Sequence, residues 1–98
     1  MAVMSDKLSI KKLTEDAKPP VRAHEGDAGL DLFGLADVIL APRTPMRVPT
    51  GIAMAIPAGF VGMICDRSSL GTKGIRVLGG IVDAGYRGEV QILLINLK

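Results

Sequence analysis

The sequence predicts an all-β fold, a small β-sandwich or β-barrel, and three observations support this prediction. Glycine and proline occur so often that the longest stretch without either between Pro19 and Gly88 is residues 63–70. An average helix needs about 11 residues, so an ordinary helix is excluded from the middle of the chain. Apolar residues form short runs bounded by turn residues, which is typical of sandwiches and barrels. Aromatic residues make up 3% of the chain, so the core should be aliphatic.

Turn residues divide the first half of the chain into five predicted strands. The first precedes a polar loop at residues 15–20, and prolines or glycines bound the other four. Pro49 separates the last two of them. Because proline has no N–H to donate to a strand partner, the two runs beside it are treated as separate strands. The five are predicted at residues 8–12, 30–33, 38–40, 46–48 and 51–56.

The second half of the chain contains four predicted strands. The last one, in EVQILLINLK, is almost wholly apolar after Gln91, so both of its faces should be covered. The four are predicted at residues 60–65, 75–77, 81–82 and 89–97. Among the residues expected to be buried are Val38, Leu40, Ile52, Met54, Ile56, Val61, Ile64, Val77, Val90, Ile92 and Leu94.

Composition predicts one small domain, residues 1–98, in the cytoplasm. Apolar residues form 48% of the chain and the mean hydropathy is +0.35, so burial against identical copies is expected. The net charge of +2 is spread along the chain, which does not indicate nucleic-acid binding. Neither a signal peptide nor a membrane-spanning run is visible. Cys65, the single cysteine, cannot form an internal disulfide and is expected to be a buried small hydrophobe.

Two segments have the composition of binding loops. In GDAGLDLF, residues 26–33, Asp31 could be held on a short strand while the glycines let the backbone approach a ligand. In DRSSLGTKG, residues 66–74, Arg67 offers a planar pair of donors beside two serines, which suits a polyphosphate. It is not a P-loop, because the glycine–lysine–hydroxyl order is missing. A turn before an edge strand and a solvated polar loop are the respective alternatives.

A third segment, GGIVDAGYRGEV at residues 79–90, is predicted to be a hairpin with Asp83 at its mouth. Asp83 could orient a nucleophilic water, and Tyr86 could form a flat platform for a sugar or base. Tyr86 could equally pack on neighbouring strands. His24 has no cysteine or second histidine nearby, so it is expected to be structural or solvated.

Taken together and in order, the three segments resemble the first three motifs of the trimeric dUTPase family. The intervening VPTGIAMAIPAGFVGMI is also similar to the family's connecting strands, and the resemblance runs from about Pro19 to Lys98. It implies a jelly-roll-like β fold, incomplete at its C-terminus, and a homotrimer with active sites between subunits. It further implies Mg²⁺-dependent hydrolysis of dUTP to dUMP and pyrophosphate, a reaction that keeps uracil out of DNA.

The resemblance also implies roles for individual residues. Asp31 would hold Mg²⁺ through water, and the phosphates would be contacted by Arg67, Ser68 and Ser69. Tyr86 would lie against the deoxyribose and disfavour a ribose, and Gln91 falls where the family often has another substrate contact. Asp83 would position the water that attacks the α-phosphorus. Main-chain groups would read the uracil edge at Gly80, Ile81, Val82 and Asp83.

Two departures from the family pattern stand out. Asp66 occupies a position where many members have proline, which places a negative charge beside Arg67. The family's fourth motif, an arginine-containing strand, and its fifth, a glycine-rich arm that closes over the phosphates, are absent from these 98 residues. A catalytically weak nucleotide-binding or trimer-assembly remnant is therefore an alternative to an active enzyme.

The other alternative is a dCTP deaminase, which shares the fold and a similar serine loop. That family has an arginine shortly after the serines, a catalytic glutamate after the third motif, and often a tryptophan in the hairpin. The corresponding positions here are Thr72, Leu93 and Tyr86. A leucine cannot transfer protons, so the sequence favours the dUTPase family.

Overall fold

The structure is a computed structural model that describes residues 7–98. The elements in this range are mostly strands, as the frequent glycines and prolines predict. The one helix, α1, is a single turn, Ser68–Gly71, shorter than an ordinary helix. The strands, numbered in chain order, are β1 Ser9–Lys12, β2 Met46–Ala55, β3 Gly62–Met63, β4 Ile75–Val77, β5 Ile81–Val82 and β6 Glu89–Asn96.

The main sheet is antiparallel and has the strand order β1-β2-β6-β4, while β3 and β5 form a separate antiparallel pair. The long strands β2 and β6 pair directly at its centre, with Val48 opposite Ile92. The register between them shifts between Pro49 and Ala53. Proline cannot donate to the ladder, so an irregularity beside it is expected. The strand itself continues through Pro49.

The core lies where β2 pairs with β6. Ile52 is 1% exposed and Val90 is 2% exposed, and both belong to one cluster with Ala17. Thr50 is fully buried in the same region, and its hydroxyl donates to the carbonyl of Val90 at 2.6 Å. The same oxygen accepts from the N–H of Ile52 at 3.3 Å, so this buried polar group is satisfied.

Five of the predicted strands need correction. Residues 30–33 contribute only an isolated bridge between Val21 and Asp31, and residues 38–40 contain no strand. The runs predicted at 46–48 and 51–56 merge into the single strand β2, which ends at Ala55, and residues 60–65 are reduced to β3. The first two segments have no partner strand to pair with beyond the single bridge at Asp31, so no ladder forms there.

The burial prediction was correct for Ile52, Ile56 and Val90, which are buried. It was wrong for Val38 and Val61, which are exposed. Val38 lies in a segment that forms no strand, and Val61 lies just before the two-residue strand β3, outside the main sheet. Cys65 is also exposed rather than buried. The remaining residues expected in the core are half-buried: Leu40, Met54, Ile64, Val77, Ile92 and Leu94.

Gly51 is a position where the fold requires glycine. Its φ is +72°, and a Cβ there would lie 2.9 Å from both Ala17 Cβ and Leu35 Cδ1. Gly51→Ala is therefore expected to lower the free energy of unfolding by about 2–4 kcal/mol, from backbone strain plus overpacking. Chemical denaturation measures this. The control is Gly71→Ala, where nothing lies within 4 Å and the change should be within about 1 kcal/mol. Equal midpoints for the two variants would contradict the assignment.

Candidate active site

The third segment forms one side of a cavity of about 230 Å³. β5 is held against β3, and the N–H of Ile64 donates to the carbonyl of Gly80 at 2.7 Å. Gly80 has a φ of +110°, and a Cβ on it would lie 2.5 Å from the carbonyl oxygen of Ile64. Only glycine allows this approach. The cavity is lined by six of the predicted site residues: Gly80, Ile81, Val82, Asp83, Tyr86 and Gln91.

Tyr86 is fixed by its own hairpin and does not pack into the core. Its N–H donates to the carbonyl of Asp83 at 3.0 Å, and its hydroxyl donates to the carbonyl of Glu89 at 2.8 Å. The residue remains 47% exposed. Arg87 closes the same turn by donating to the carbonyl of Ala84 at 2.5 Å. The ring is thus held on the cavity wall with part of its surface accessible to a ligand.

Two polar residues of this cavity were not identified from the sequence: Arg47 and Glu89. The carboxylate of Glu89 accepts from the N–H of Gly51 at 2.9 Å and from the amide of Gln91 at 3.2 Å. Arg47 lies on the neighbouring strand, two residues from Pro49, which is opposite Gln91. Residues two apart on a strand share a face. Finding Arg47 therefore required the pairing register between β2 and β6, which the sequence alone did not provide.

The first and second segments meet at a different cavity, of about 600 Å³. Asp31 and Arg67 both line it, and their carboxylate and guanidinium groups are 3.9 Å apart. Ser68 and Ser69 follow at the start of α1, where both are exposed. The structure therefore brings Asp31 and Arg67 together, whereas the two serines do not line this cavity.

The sequence alone does not explain Asp66, and the structure shows that its side chain accepts hydrogen bonds from β4. One carboxylate oxygen accepts from the N–H of Val77 at 2.7 Å, and the other accepts from Arg76 Nε at 3.0 Å. The hydrogen bond from Val77 is the main cause of a lowered pKa of the Asp66 carboxyl, and the positive charge of Arg76 lowers it further. Because the pKa lies below its ordinary value of 3.8, the carboxylate is ionised at neutral pH, and this interaction is lost only in strong acid.

The two cavities lie largely on opposite faces of the main sheet. Arg47 and Gln91 line the first, whereas Val48 and Ile92, which alternate with them along β2 and β6, line the second. The two cavities share one lining residue, Ile64. Within one chain, the hairpin residues are therefore separated from Arg67 and the two serines.

Other candidate features are minor. His24 is exposed on a loop, where its backbone N–H and ring contact the carboxylate of Asp27. Across residues 7–98, no group of three or more His, Cys, Asp or Glu side chains is arranged to hold a metal ion. The same range contains no helix that is both long and apolar enough to span a membrane.

Comparison with known proteins identifies the family. A match to the dUTPase family covers residues 15–98. The deoxyuridine 5'-triphosphate nucleotidohydrolase of Mycobacterium sp. (strain JLS) is 50% identical over 97 residues, which are 96% of this chain and 63% of that protein. The corresponding protein of Mycobacterium tuberculosis (strain ATCC 25618 / H37Rv) is 47% identical with the same coverage. The chain thus spans 63% of the length of these curated relatives, which is less than two-thirds.

Solved structures similar to this chain are also dUTPases. A mutant dUTPase from phage phi11 of S. aureus, described for its coordination of a structural Mg(II) ion, matches with a TM-score of 0.88 and 35% identity. The match covers 94% of this chain and 61% of that one. A Staphylococcus bacteriophage 80alpha dUTPase mutant with dUpNHpp matches with a TM-score of 0.90 and 35% identity, over 96% and 56% of the two chains. These matches confirm the jelly-roll-like β fold, and the chain belongs to the dUTPase family.

Proposed function

We propose that this chain carries the nucleotide-binding part of a dUTP diphosphatase, which hydrolyses dUTP to dUMP and pyrophosphate. The observation that supports this most strongly is the hairpin cavity, where a carboxylate, a fixed tyrosine ring and exposed main-chain groups line one space. Family membership supplies the substrate, because the curated relatives are named for hydrolysis of deoxyuridine 5'-triphosphate.

In this proposal the hairpin recognises the nucleoside. Main-chain N–H and C=O groups of residues 80–83 pair with the uracil edge, and their close approach leaves no room for the 5-methyl group of thymine. Tyr86 lies under the deoxyribose and disfavours a 2′-hydroxyl, while Gln91 adds a contact from β6. The fixed position of the tyrosine hydroxyl, 2.8 Å from the carbonyl of Glu89, supports the role of the ring as a rigid platform.

Asp83 is the proposed general base. It accepts a proton from a water whose oxygen attacks the α-phosphorus, and the bond from that phosphorus to the bridging oxygen breaks. Pyrophosphate leaves with the electron pair, and dUMP remains in the cavity. The exposed position of Asp83 at the cavity wall supports this role, because the water and the phosphate can both reach its carboxylate.

Arg67, Ser68 and Ser69 are the proposed phosphate contacts, and Asp31 is the proposed water-mediated magnesium ligand. Mg²⁺ usually keeps several waters and is held by one or two carboxylates together with substrate phosphates. A half-buried carboxylate beside the phosphate loop, 34% exposed, fits such a site. When bound, Mg²⁺ supplies positive charge that neutralises the triphosphate. A related phage dUTPase is described as coordinating a structural Mg(II) ion, which shows that a member of the family holds this metal without placing it at Asp31.

We infer that the working form is a homotrimer. Within one chain the hairpin cavity and Arg67 lie largely on opposite faces of the sheet, so a nucleotide in the hairpin needs phosphate contacts from a second copy. Exposed apolar residues near the hairpin also call for cover, among them Phe60, Val61, Met63 and Ile81 at 55%, 53%, 67% and 60% exposure.

A second candidate is a nucleotide-binding or trimer-assembly remnant without turnover. It concerns residues 1–98 taken alone, which span 63% of the length of the relative they match. Steady-state dUTP hydrolysis measured beside dUMP binding separates the two, because a remnant binds without producing pyrophosphate. A deaminase is not proposed, since Leu93 on β6 cannot transfer a proton.

Nucleotide selectivity tests the proposed pocket. The chain is expected to bind dUMP at least roughly tenfold more tightly than dTMP or UMP, because the hairpin excludes the 5-methyl group and Tyr86 excludes the 2′-hydroxyl. Calorimetry measures all three. Tyr86→Ala should lose the discrimination against UMP while keeping that against dTMP. Equal affinities for uracil and thymine nucleotides in the unaltered chain would rule out the proposed base pocket.

A further inference from the structure

The loop between β3 and β4 is tied at both ends by one side chain. Asp66 lies immediately before Arg67, and its carboxylate reaches across the loop to the backbone of Val77 and to Arg76 on β4. The proposed phosphate contacts, Arg67 and the two serines, are all enclosed between these attachment points. The separation of Asp66 from β4 is therefore fixed by two hydrogen bonds rather than left to the loop.

The same contacts address the charge problem that Asp66 creates. An uncompensated carboxylate next to Arg67 would repel the phosphates that the arginine is proposed to bind. Arg76 Nε donates directly to this carboxylate at 3.0 Å. Arg67 has its own carboxylate, Asp31, at the longer distance of 3.9 Å. Asp66 and Asp31 thus pair with two different arginines, and the distance between Asp66 and Arg76 is the shorter of the two.

We propose that Asp66 and Arg76 form a positioning pair for the polyphosphate loop: Asp66 ties the start of the loop to β4, and Arg76 cancels the charge of Asp66. Triphosphate is then attracted by Arg67 without opposition from the residue beside it. This inference rests on the proposed function of the loop. It differs from a stability role, because the Asp66 and Arg76 side chains are 36% and 58% exposed and exposed ion pairs add little to folding.

The pair makes a specific prediction about binding. Arg76→Gln leaves Asp66 ionised and uncompensated, so affinity for a non-hydrolysable dUTP analogue should fall roughly tenfold, since the repulsion acts on several phosphate charges. Affinity for dUMP should change much less, because it lacks the β- and γ-phosphates. Adding Asp66→Asn to Arg76→Gln should restore most of the lost affinity. Asparagine removes the charge but keeps an oxygen that can accept from the N–H of Val77.

The experiment is calorimetry on the longest form of the protein that its gene encodes, with the analogue and dUMP as ligands. The control is Lys11→Gln on β1, which removes the same charge far from the loop along the chain and should change neither affinity. Raising the salt concentration should shrink the Arg76→Gln defect, because screening weakens charge repulsion. This salt response, measured by itself, keeps the test decisive if the double variant fails to fold.

The outcomes are separable. If Arg76→Gln weakens both ligands equally, or if the double variant binds the analogue as weakly as Arg76→Gln alone, the pair is structural and the inference is wrong. A defect that does not respond to salt would also overturn it. If the unaltered protein binds neither ligand, the proposed function itself fails, and the loop has no triphosphate to position.

Discussion

Replacing Asp83 by asparagine, in a version of the protein completed with the family's fourth and fifth motifs, is expected to reduce dUTP turnover by on the order of 10²-fold or more. The substitution keeps the size of the side chain on the cavity wall, and much of the nucleotide binding should remain. It removes the negative charge that orients the water and accepts its proton. Initial rates of pyrophosphate release with Mg²⁺ present measure the effect.

The matched control is Asp37→Asn. Asp37 is an exposed aspartate that lines neither cavity, so the same chemical change there should leave turnover unaltered. Binding of dUMP to both variants, measured by calorimetry, shows whether a loss of rate is a loss of chemistry. Full activity of Asp83→Asn would show that another group is the base.

The 98-residue chain is expected to hydrolyse dUTP on the order of 10³-fold more slowly than its completed form. Losses of this size are expected when charge-stabilising donors and an arginine clamp are removed. The hairpin cavity and Arg67 lie within residues 1–98, whereas the family's arginine-containing strand and the arm that closes over the phosphates do not. Closure positions the triphosphate and excludes water from it. The measurement compares the two forms at equal concentrations of active sites, with dUMP affinity as the reference.

Nucleoside recognition should be affected much less than turnover, because the cavity of residues 80–83, Tyr86 and Gln91 lies within the chain. If both forms turn over dUTP at the same rate, the fourth and fifth motifs are dispensable here. The mechanism inferred from the family would then not apply. If the short form loses dUMP binding as well, assembly of the trimer rather than closure depends on the missing segments.

The strands with the clearest local signals were predicted well. β4 and β5 have the predicted bounds, and β6 differs from its prediction by one residue at its end. Each is a short apolar run with glycine near at least one end, so local sequence was enough to define it. The segments at 30–33 and 38–40 show equally apolar runs, yet neither is a strand. A ladder needs a partner at the right distance, and partners depend on tertiary structure.

The candidate site was only partly predictable for the same reason. Three motifs in order supplied the candidate residues, but the sequence did not show that Arg67 and Asp83 line two different cavities, which lie largely on opposite faces of one sheet. It also left Asp66 unexplained, because the partner that compensates its charge, Arg76, is ten residues away on another element. Pairing register and long-range charge compensation are properties of the folded chain, and a motif does not encode them locally.

The close approach at Gly80 has a consequence for the history of the gene. Every amino-acid replacement that one nucleotide change can make in a glycine codon introduces a Cβ, and here that atom would lie 2.5 Å from the carbonyl oxygen of Ile64. An amino-acid change here therefore requires the backbone at Ile64 or at Gly80 to shift. Because that shift would disturb the pairing of β3 with β5, Gly80 is expected to vary less among related genes than its exposed neighbours.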